Sequence, residues 1–466
     1  LSRALVSCLN VANKNNLYHN LTIGRVQGPT LGFIVNREIK IRNHIPDPVW
    51  YVTGKFDKGG SFFKANLISV IHKSSEVEKI LTSCQNEIGV INEIVRRKKK
   101  IKPPTPFNIS NLQKEAYRIF NISPIITLSI AESLYLAALI SYPRTSSQKL
   151  PPSIGYKHIL EQLSINYVTK YENIIKELLR RKFLVPYQGN EEDPAHPAIY
   201  PTGVKQKKIS MLQERILDLI IKRFLSTFGN SAAIKYTEVT INVNGNHFVA
   251  KGNTILNDGW IPIYEPYLRI NDSNLPDLAI GERLKVSEVT AMEDFTRPPA
   301  RYNQASLLGK MESEGIGTKS TRAGIINLLI KRKYISQNKI GIEPTELGFT
   351  IFNTMKKFVS EIVSTKLTNF LESSIKGIEK GELNMNDVRK YLEKSLESPL
   401  NKIKTNEWAI GDEIKDVLTN SENGMRIGKC PKCQFGEMIL IKSSKSNKRF
   451  IVCSQYRVTG CNAIAS

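Results

Sequence analysis

The chain has 466 residues, 41% of them hydrophobic, with 66 Lys and Arg against 43 Asp and Glu, giving a formal charge of +23 and a pI ≈ 9.6. That length suits about two to four domains of ~100–200 residues, and no apolar run reaches the ~18 residues that would span a bilayer. The charge favours a polyanionic partner, nucleic acid first and a membrane surface second.

The first residues, Leu1-Ser2-Arg3-Ala4-Leu5, lack both a charged leader with a long apolar stretch and an initiator Met, so we expect a chain cut from something longer. Of six cysteines, Cys8 and Cys84 stand alone and read as buried thiols. The other four cluster near the C-terminus, which favours metal in a reducing, intracellular compartment over disulfides.

Residues 1–40 read as a helix, a break at Gly24 and Gly28-Pro29, and a second helix to about Lys40. Arg25 and Gln27 would then stand beside a helix N-terminus, where a phosphate can bind. Residues 49–95 alternate as short strands, for example Val49-Trp50-Tyr51-Val52 and Ile88-Gly89-Val90-Ile91. The run Arg96-Arg97-Lys98-Lys99-Lys100-Ile101-Lys102, before Pro103-Pro104, reads as a solvated face at a domain boundary, able to touch a phosphate.

Residues 110–120 and 123–140 look helical, and in the second Leu128, Ala131, Leu134, Tyr135 and Ala138 recur at helical spacing. That helix leads into Leu139-Ile140-Ser141-Tyr142-Pro143-Arg144-Thr145-Ser146-Ser147, a loop that sets a tyrosine and an arginine either side of a proline. Residues 154–182 read as helix. Asp193-Pro194-Ala195-His196-Pro197-Ala198-Ile199-Tyr200-Pro201 is held extended by its prolines and frames His196 rigidly. Residues 206–228 are amphipathic, with Ile209, Leu212, Ile216, Leu219, Ile220 and Phe224 on one face. Strand patterning returns over 234–290, so two β-rich segments flank a helical unit of about 130 residues, read as one sheet domain with an insertion able to hinge.

Residues 314–322, Glu314-Gly315-Ile316-Gly317-Thr318-Lys319-Ser320-Thr321-Arg322, fail the spacing of a nucleotide P-loop, and no strand precedes them. A hydroxyl-rich turn at a helix N-terminus still suits a nucleic-acid phosphate. Near the end, Cys430, Cys433, Cys453 and Cys461 follow C-x2-C-x19-C-x7-C, a thiolate zinc pattern with a hairpin in the long gap. That hairpin carries Lys442, Lys445, Lys448, Arg449 and Phe450, which suit single-stranded nucleic acid.

The order Gly24-Arg25-Val26-Gln27, Ser141-Tyr142-Pro143-Arg144-Thr145, His196-Pro197-Ala198-Ile199, Glu314-Gly315-Ile316-Gly317-Thr318, then the four cysteines, resembles type IA DNA topoisomerases, and its wording looks nearest to archaeal DNA topoisomerase I. The resemblance runs along essentially the whole chain. It implies a mixed α/β, multi-domain, toroidal fold: residues 1–48 and 293–410 as a base that binds DNA, with helical, winged-helix-like segments, 49–102 and 233–292 as a β-rich hinge, 103–232 as a helical domain carrying the tyrosine, and 424–466 as a zinc ribbon. It implies that Tyr142 attacks a DNA phosphodiester, giving a 5′-phosphotyrosine and a free 3′-hydroxyl. Arg144 would neutralise the developing phosphate charge and His196 would hydrogen-bond the site. Thr22, Gly24, Arg25, Val26, Gln27, Pro143, Gly317, Thr318, Lys319, Ser320, Thr321 and Arg322 would line the strand. A phenol ionises only near pH ~10 in water, so such a nucleophile needs this help. The phosphotyrosine ester conserves the broken bond's energy, which fits resealing without ATP.

The implied activity is relaxation of negatively supercoiled DNA by transient cleavage of one strand and strand passage. The implied partners are single-stranded and negatively supercoiled DNA, with no membrane, the full-length protein a monomer, in the cytoplasm on the nucleoid. Implied cofactors are Zn2+ in the ribbon and Mg2+ on an N-terminal Toprim domain. The chain departs from the family here: it begins where that domain should end, and no Asp-x-Asp occurs in it. We therefore expect the catalytic Glu and the acidic Mg2+ cluster to come from outside it. Ser146 stands where many relatives have an acid, and Lys319 where many have Pro. Two other readings stay open, a non-catalytic single-stranded DNA-binding protein and the topoisomerase half of a reverse gyrase.

Overall fold

The computed structural model describes residues 2–13, 21–205, 208–422, 425–433, 436–442, 449–456 and 460–465. The chain divides into two compact units, Leu1–Lys40 with Ala300–Ser466, and Ile41–Pro299. Among the described residues no single helix is long and apolar enough to cross a membrane.

The continuous unit is built on a closed six-stranded barrel. Its strands are β1 (Pro48–Lys58), β2 (Ser61–Leu67), β3 (Ile88–Ile101), β4 (Ala232–Val243), β5 (Asn246–Asn257) and β6 (Arg283–Phe295), in the order β1-β2-β5-β4-β3-β6. Strands before and after the helical segment thus share one closed sheet. Alternation puts Val52, Phe56, Phe63, Val239, Ile241, Phe248 and Val286 inside, where they fill the small interior. Phe56 and Phe63 pair across β1 and β2 with ring centroids 5.9 Å apart. Two tight hairpins, at Gly59-Gly60 and Asn244-Gly245, have both central residues at positive φ, the geometry that matches strand twist. The cationic run read as a boundary is the second half of β3: Arg96 to Lys100 are exposed on a paired strand.

Between β3 and β4 lie helices Ile109–Phe120, Pro124–Leu136, Tyr156–Asn166, Val168–Leu179 and Met211–Thr227. The stretch expected as one helix over 154–182 breaks at Tyr167. Asn108 caps the first helix by accepting from Asn111 N at 2.8 Å. Ser210 and Gln213 form a capping box that starts the last helix, so Ile209 lies before it, and Leu212 is exposed rather than core. Leu112, Ala131, Leu134, Leu160, Leu163, Ile216, Leu219 and Phe224 make the core. Residues 258–282, expected as strand, instead include the helix Ile261–Tyr264, and Trp260, Ile261 and Tyr264 join the helical core. Asp218 is buried there. It accepts from Tyr171 Oη at 2.5 Å and from Tyr267 Oη, and pairs with Lys170 at 3.0 Å.

In the other unit, helix Ser2–Asn13 packs on helix Glu407–Glu422, with Ile410 and Ile414 fully buried, so this unit's helices run past residue 410. Helix Gln27–Arg42 begins at the Gly24–Gln27 turn. Helices Gln304–Ser313 and Arg322–Lys331 precede the two-stranded hairpin β7 (Ile335–Gln337) and β8 (Ile342–Pro344), and helix Glu346–Phe358 follows, a helix–turn–helix with a short wing. Strands β9 (Met425–Lys429), β10 (Glu437–Lys442), β11 (Arg449–Cys453) and β12 (Ile464–Ala465) form a separate sheet ordered β12-β11-β10-β9.

Candidate active site

The loop after helix Pro124–Leu136 is fixed at both ends. The helix closes in a Schellman turn, with Leu139 N donating to Leu134 O at 2.9 Å and Ala138 N to Tyr135 O at 2.8 Å. This turn puts Ala138 at φ 56, a conformation that favours glycine. Thr202 holds it: its Oγ1 donates to Ala138 O at 2.7 Å, and its N to Leu139 O at 3.0 Å.

From there the loop runs beside the proline-framed segment. Ile140 bridges Pro201, Ser141 N donates to Tyr200 O at 2.9 Å, and Thr145 Oγ1 donates to His196 O at 3.1 Å. Thr145 and Ser147 are buried, and each hydroxyl turns the loop by accepting from the backbone N two residues on. Ser146 donates through N and Oγ to Asp193 Oδ2, at 3.2 and 3.1 Å.

This zipper brings two of the expected residues, Tyr142 and His196, together, with Arg144 two residues along the same loop. The rings of Tyr142 and His196 have centroids 4.5 Å apart, tilted by 47°. Arg144 and Tyr142 flank buried Pro143. Tyr142 and Arg144 are both partly exposed, so the group has a rigid floor and an open front. It can offer a hydroxyl nucleophile, a guanidinium and an imidazole to one anion.

Two residues of the site escaped the sequence reading. Glu132 accepts from Arg144 Nε at 2.5 Å, and Tyr135 meets Tyr142 edge-on with centroids 5.4 Å apart. They lie three positions apart on one helix face, and Glu132 is the only charged residue in Pro124–Leu136, which was the available signal. Tyr135 and Ala138, expected with the buried stripe, are exposed: Tyr135 meets the loop at Tyr142, and Ala138 lies past the helix end.

In the other unit, the two segments expected to line the strand are neighbours. A Cβ on Gly317, whose φ is +70, would stand 3.2 Å from Val26 Cγ1. Tyr334 Oη accepts from Thr22 N and donates to Thr22 O, both at 2.9 Å, and Thr368 Oγ1 donates to Arg25 O at 2.5 Å. Arg25 pairs with Glu372 at 3.5 Å. Thr22 Oγ1 and Gln27 Oε1 are buried without a hydrogen-bond partner among the described residues. Thr318, Ser320 and Thr321 cluster their hydroxyls, with Oγ distances of 3.0 and 3.1 Å, before helix Arg322–Lys331, and Lys319 lies among them. Arg322 is turned inward to Ile316 O at 3.1 Å and Glu312 at 3.4 Å. It therefore braces the turn, and the hydroxyls and helix end face outward.

The sulfurs of Cys430, Cys433, Cys453 and Cys461 all lie within 4.8 Å of one another. Sγ separations of 3.8 Å (Cys430 to Cys461) and 3.5 Å (Cys433 to Cys453) match the ~3.8 Å edge of a tetrahedron with ~2.3 Å metal–sulfur bonds. A Cβ on Gly436 would stand 2.5 Å from Cys453 Sγ, so glycine leaves room for the cluster. Among the described residues it is the one group of three or more His, Cys, Asp or Glu with this density. Lys445 and Lys448 lie outside the described residues, while Phe450 pairs with Ile441 in the β10–β11 ladder.

A family model described as DNA topoisomerase matches residues 1–390. The chain is 37% identical over 461 residues to DNA topoisomerase 1 of Pyrococcus horikoshii, covering 98% of this chain and 66% of that protein. It is 37% identical over 456 residues to DNA topoisomerase 1 of Methanothermobacter thermautotrophicus, covering 98% and 61%. The chain thus spans less than two-thirds of the length of these curated relatives. The solved structure of full-length topoisomerase I from Thermotoga maritima superposes with a TM-score of 0.67 at 24% identity, covering 100% of this chain and 73% of that one, a likeness of fold.

Proposed function

Given that the chain belongs to the DNA topoisomerase family, we propose that it is the strand-cleaving part of a type IA enzyme that relaxes negatively supercoiled DNA without ATP. The observation that carries this reading is the fixed loop that sets the Tyr142 ring against His196, with Arg144 two residues along it and partly exposed.

In this reading Tyr142 Oη attacks a backbone phosphorus in line with the 3′-oxygen. The new bond is a 5′-phosphotyrosine, the bond that breaks is P–O3′, the tyrosine proton is lost, and O3′ leaves to take up a proton. Arg144 faces the phosphate as charge accumulates on its oxygens, where a preorganised cation is worth a few kcal/mol in rate. His196, against the Tyr142 ring, holds a hydrogen bond to the reacting group. Religation is the reverse attack by the 3′-hydroxyl, so bond energy is conserved.

The Thr22–Gln27 and Gly317–Thr321 segments are read as the track for the single strand. Their support is the orphaned Thr22 and Gln27 oxygens and the hydroxyl cluster at a helix N-terminus. The barrel is read as a hinge, since the helical segment leaves it at the end of β3 and returns at the start of β4. Residues 1–48 and 293–410 serve as the DNA-binding base, and 424–466 as the ribbon.

The four thiolates would hold Zn2+, which fixes the ribbon and supplies no chemistry to the cleavage loop. The described residues offer no carboxylate cluster for Mg2+. In this reading Mg2+ is held by an acidic domain outside this chain. The site of action is the cytoplasm, on the nucleoid, and the full-length enzyme works as a monomer.

The test is a 3′-labelled single-stranded oligonucleotide, incubated with the chain and an acidic Mg2+-binding domain from an archaeal relative, then quenched in detergent. Label should stay on the protein, and Tyr142→Phe should abolish it. Binding without any adduct would instead support the non-catalytic, single-strand-binding reading.

A further inference from the structure

The cationic run of β3 has no part in the cleavage reading, yet it is built into a surface. On the barrel, β3, β4 and β5 form a groove of about 640 Å³ lined by Arg97, Lys98, Lys99, Tyr236, Glu238 and Lys251. Val239 and Ile241 point into the barrel core, so by alternation Glu238 and Tyr236 point outward. The register sets Arg97 opposite Tyr236, and Val95 opposite Glu238, which faces Lys251.

Charge in the groove is left over. Lys251 pairs with Glu238 at 3.3 Å. Among the described residues, no ion-pair partner is found for Arg97, Lys98 or Lys99. By alternation the side chains of Lys98 and its cross-strand neighbour Lys235 lie on the other face of the sheet, away from the groove. The groove face thus carries the charge of Arg97 and Lys99 in excess, which an anion lying across it offsets.

The shape of that anion follows from the spacing. Arg97 and Lys99 project from the same face about 6.7 Å apart, close to the repeat of phosphates along an extended strand. Tyr236 is 42% exposed beside them and presents a face on which a base can stack. We propose that this groove binds a segment of single-stranded DNA, with phosphates on Arg97 and Lys99 and a base on Tyr236. It is a second contact, separate from the Tyr142 loop, and it goes beyond the cleavage reaction.

The test uses the full chain and an oligodeoxythymidylate carrying 5-iododeoxyuridine, crosslinked by light and mapped by mass spectrometry. A crosslinked peptide containing Tyr236 is expected, equally in Tyr142→Phe. It should persist in Tyr236→Phe and vanish in Tyr236→Ala. The double change Arg97→Ala with Lys99→Ala should lower the salt slope of binding by roughly 1.4, at about 0.7 per phosphate contact, while Arg97→Lys with Lys99→Arg keeps it. Crosslinks confined to other peptides, or equal crosslinking of the Tyr236 peptide to a duplex carrying the same photoprobe, would overturn the groove assignment. Failure to bind the oligonucleotide at all would instead overturn the DNA reading of the whole chain.

Discussion

Arg144 is held by Glu132: its Nε–H donates to Oε1 at 2.5 Å, across the boundary between the helix and the loop that carries Tyr142. The two side chains are 41% and 36% exposed, so the pair adds little stability. Its effect is to aim the guanidinium. Glu132→Gln should lower covalent adduct formation roughly tenfold or more, because small misplacements of a charge-stabilising group are costly in rate. Oligonucleotide affinity should stay within about twofold. Equal losses of adduct and affinity would make Glu132 a folding residue instead.

Ala138 occupies a left-handed position that costs a residue with a Cβ about 1 kcal/mol. Ala138→Gly should therefore raise the melting temperature of its unit by about 2–4 °C, and Ala138→Val should lower it. Calorimetry decides. An unchanged or lower value for the glycine variant would mean that the Thr202 contacts already offset the strain.

Asp218 ties Tyr171, Tyr267 and Lys170 into the helical core. Burial works against its ionisation, but donation from Tyr171, Tyr267 and Lys170 outweighs it and holds the carboxyl below the ordinary carboxylate range. A lowered folded-state value stabilises the protein above the unfolded-state value, and that stability is lost as pH falls through the folded one. Melting temperature should drop on acidification below about pH 4, and Asp218→Asn should flatten that part of the profile while lowering stability at neutral pH. Parallel profiles for the two proteins would exclude Asp218 as the source.

Cys433→Ser, or a strong chelator, should release one zinc per chain measured by elemental analysis and unfold the ribbon, since such a small sheet depends on its metal. Protease should then cut within 424–466 and leave 1–422 intact. Retention of zinc by the serine variant would contradict a four-thiolate site.

The sequence was most legible where chemistry depends on local spacing. Alternation in Val49–Val52 and Thr237–Val243 announced strands, and the four cysteines announced a cluster that the folded sulfurs form. Tyr142, Arg144 and His196 stood out because prolines frame them. What remained hidden depends on contacts distant in sequence. Glu132 went unread on an apolar helix, Trp260 and Tyr264 sat in a stretch that read as strand, and Arg322 was expected to line the DNA strand although it turns inward to Glu312. Asp193 lies 47 residues from Ser146 and shows its role only once the loop is closed.

In the proposed reaction everything turns on Tyr142 as the nucleophile. The most direct measurement is mass-spectrometric mapping of the protein–DNA adduct trapped from a 3′-labelled single strand with the acidic domain present. A nucleotide phosphate on Tyr142 is expected, with no adduct in Tyr142→Phe. An adduct on another residue, one that survives Tyr142→Phe, or none with the unaltered chain would contradict that role.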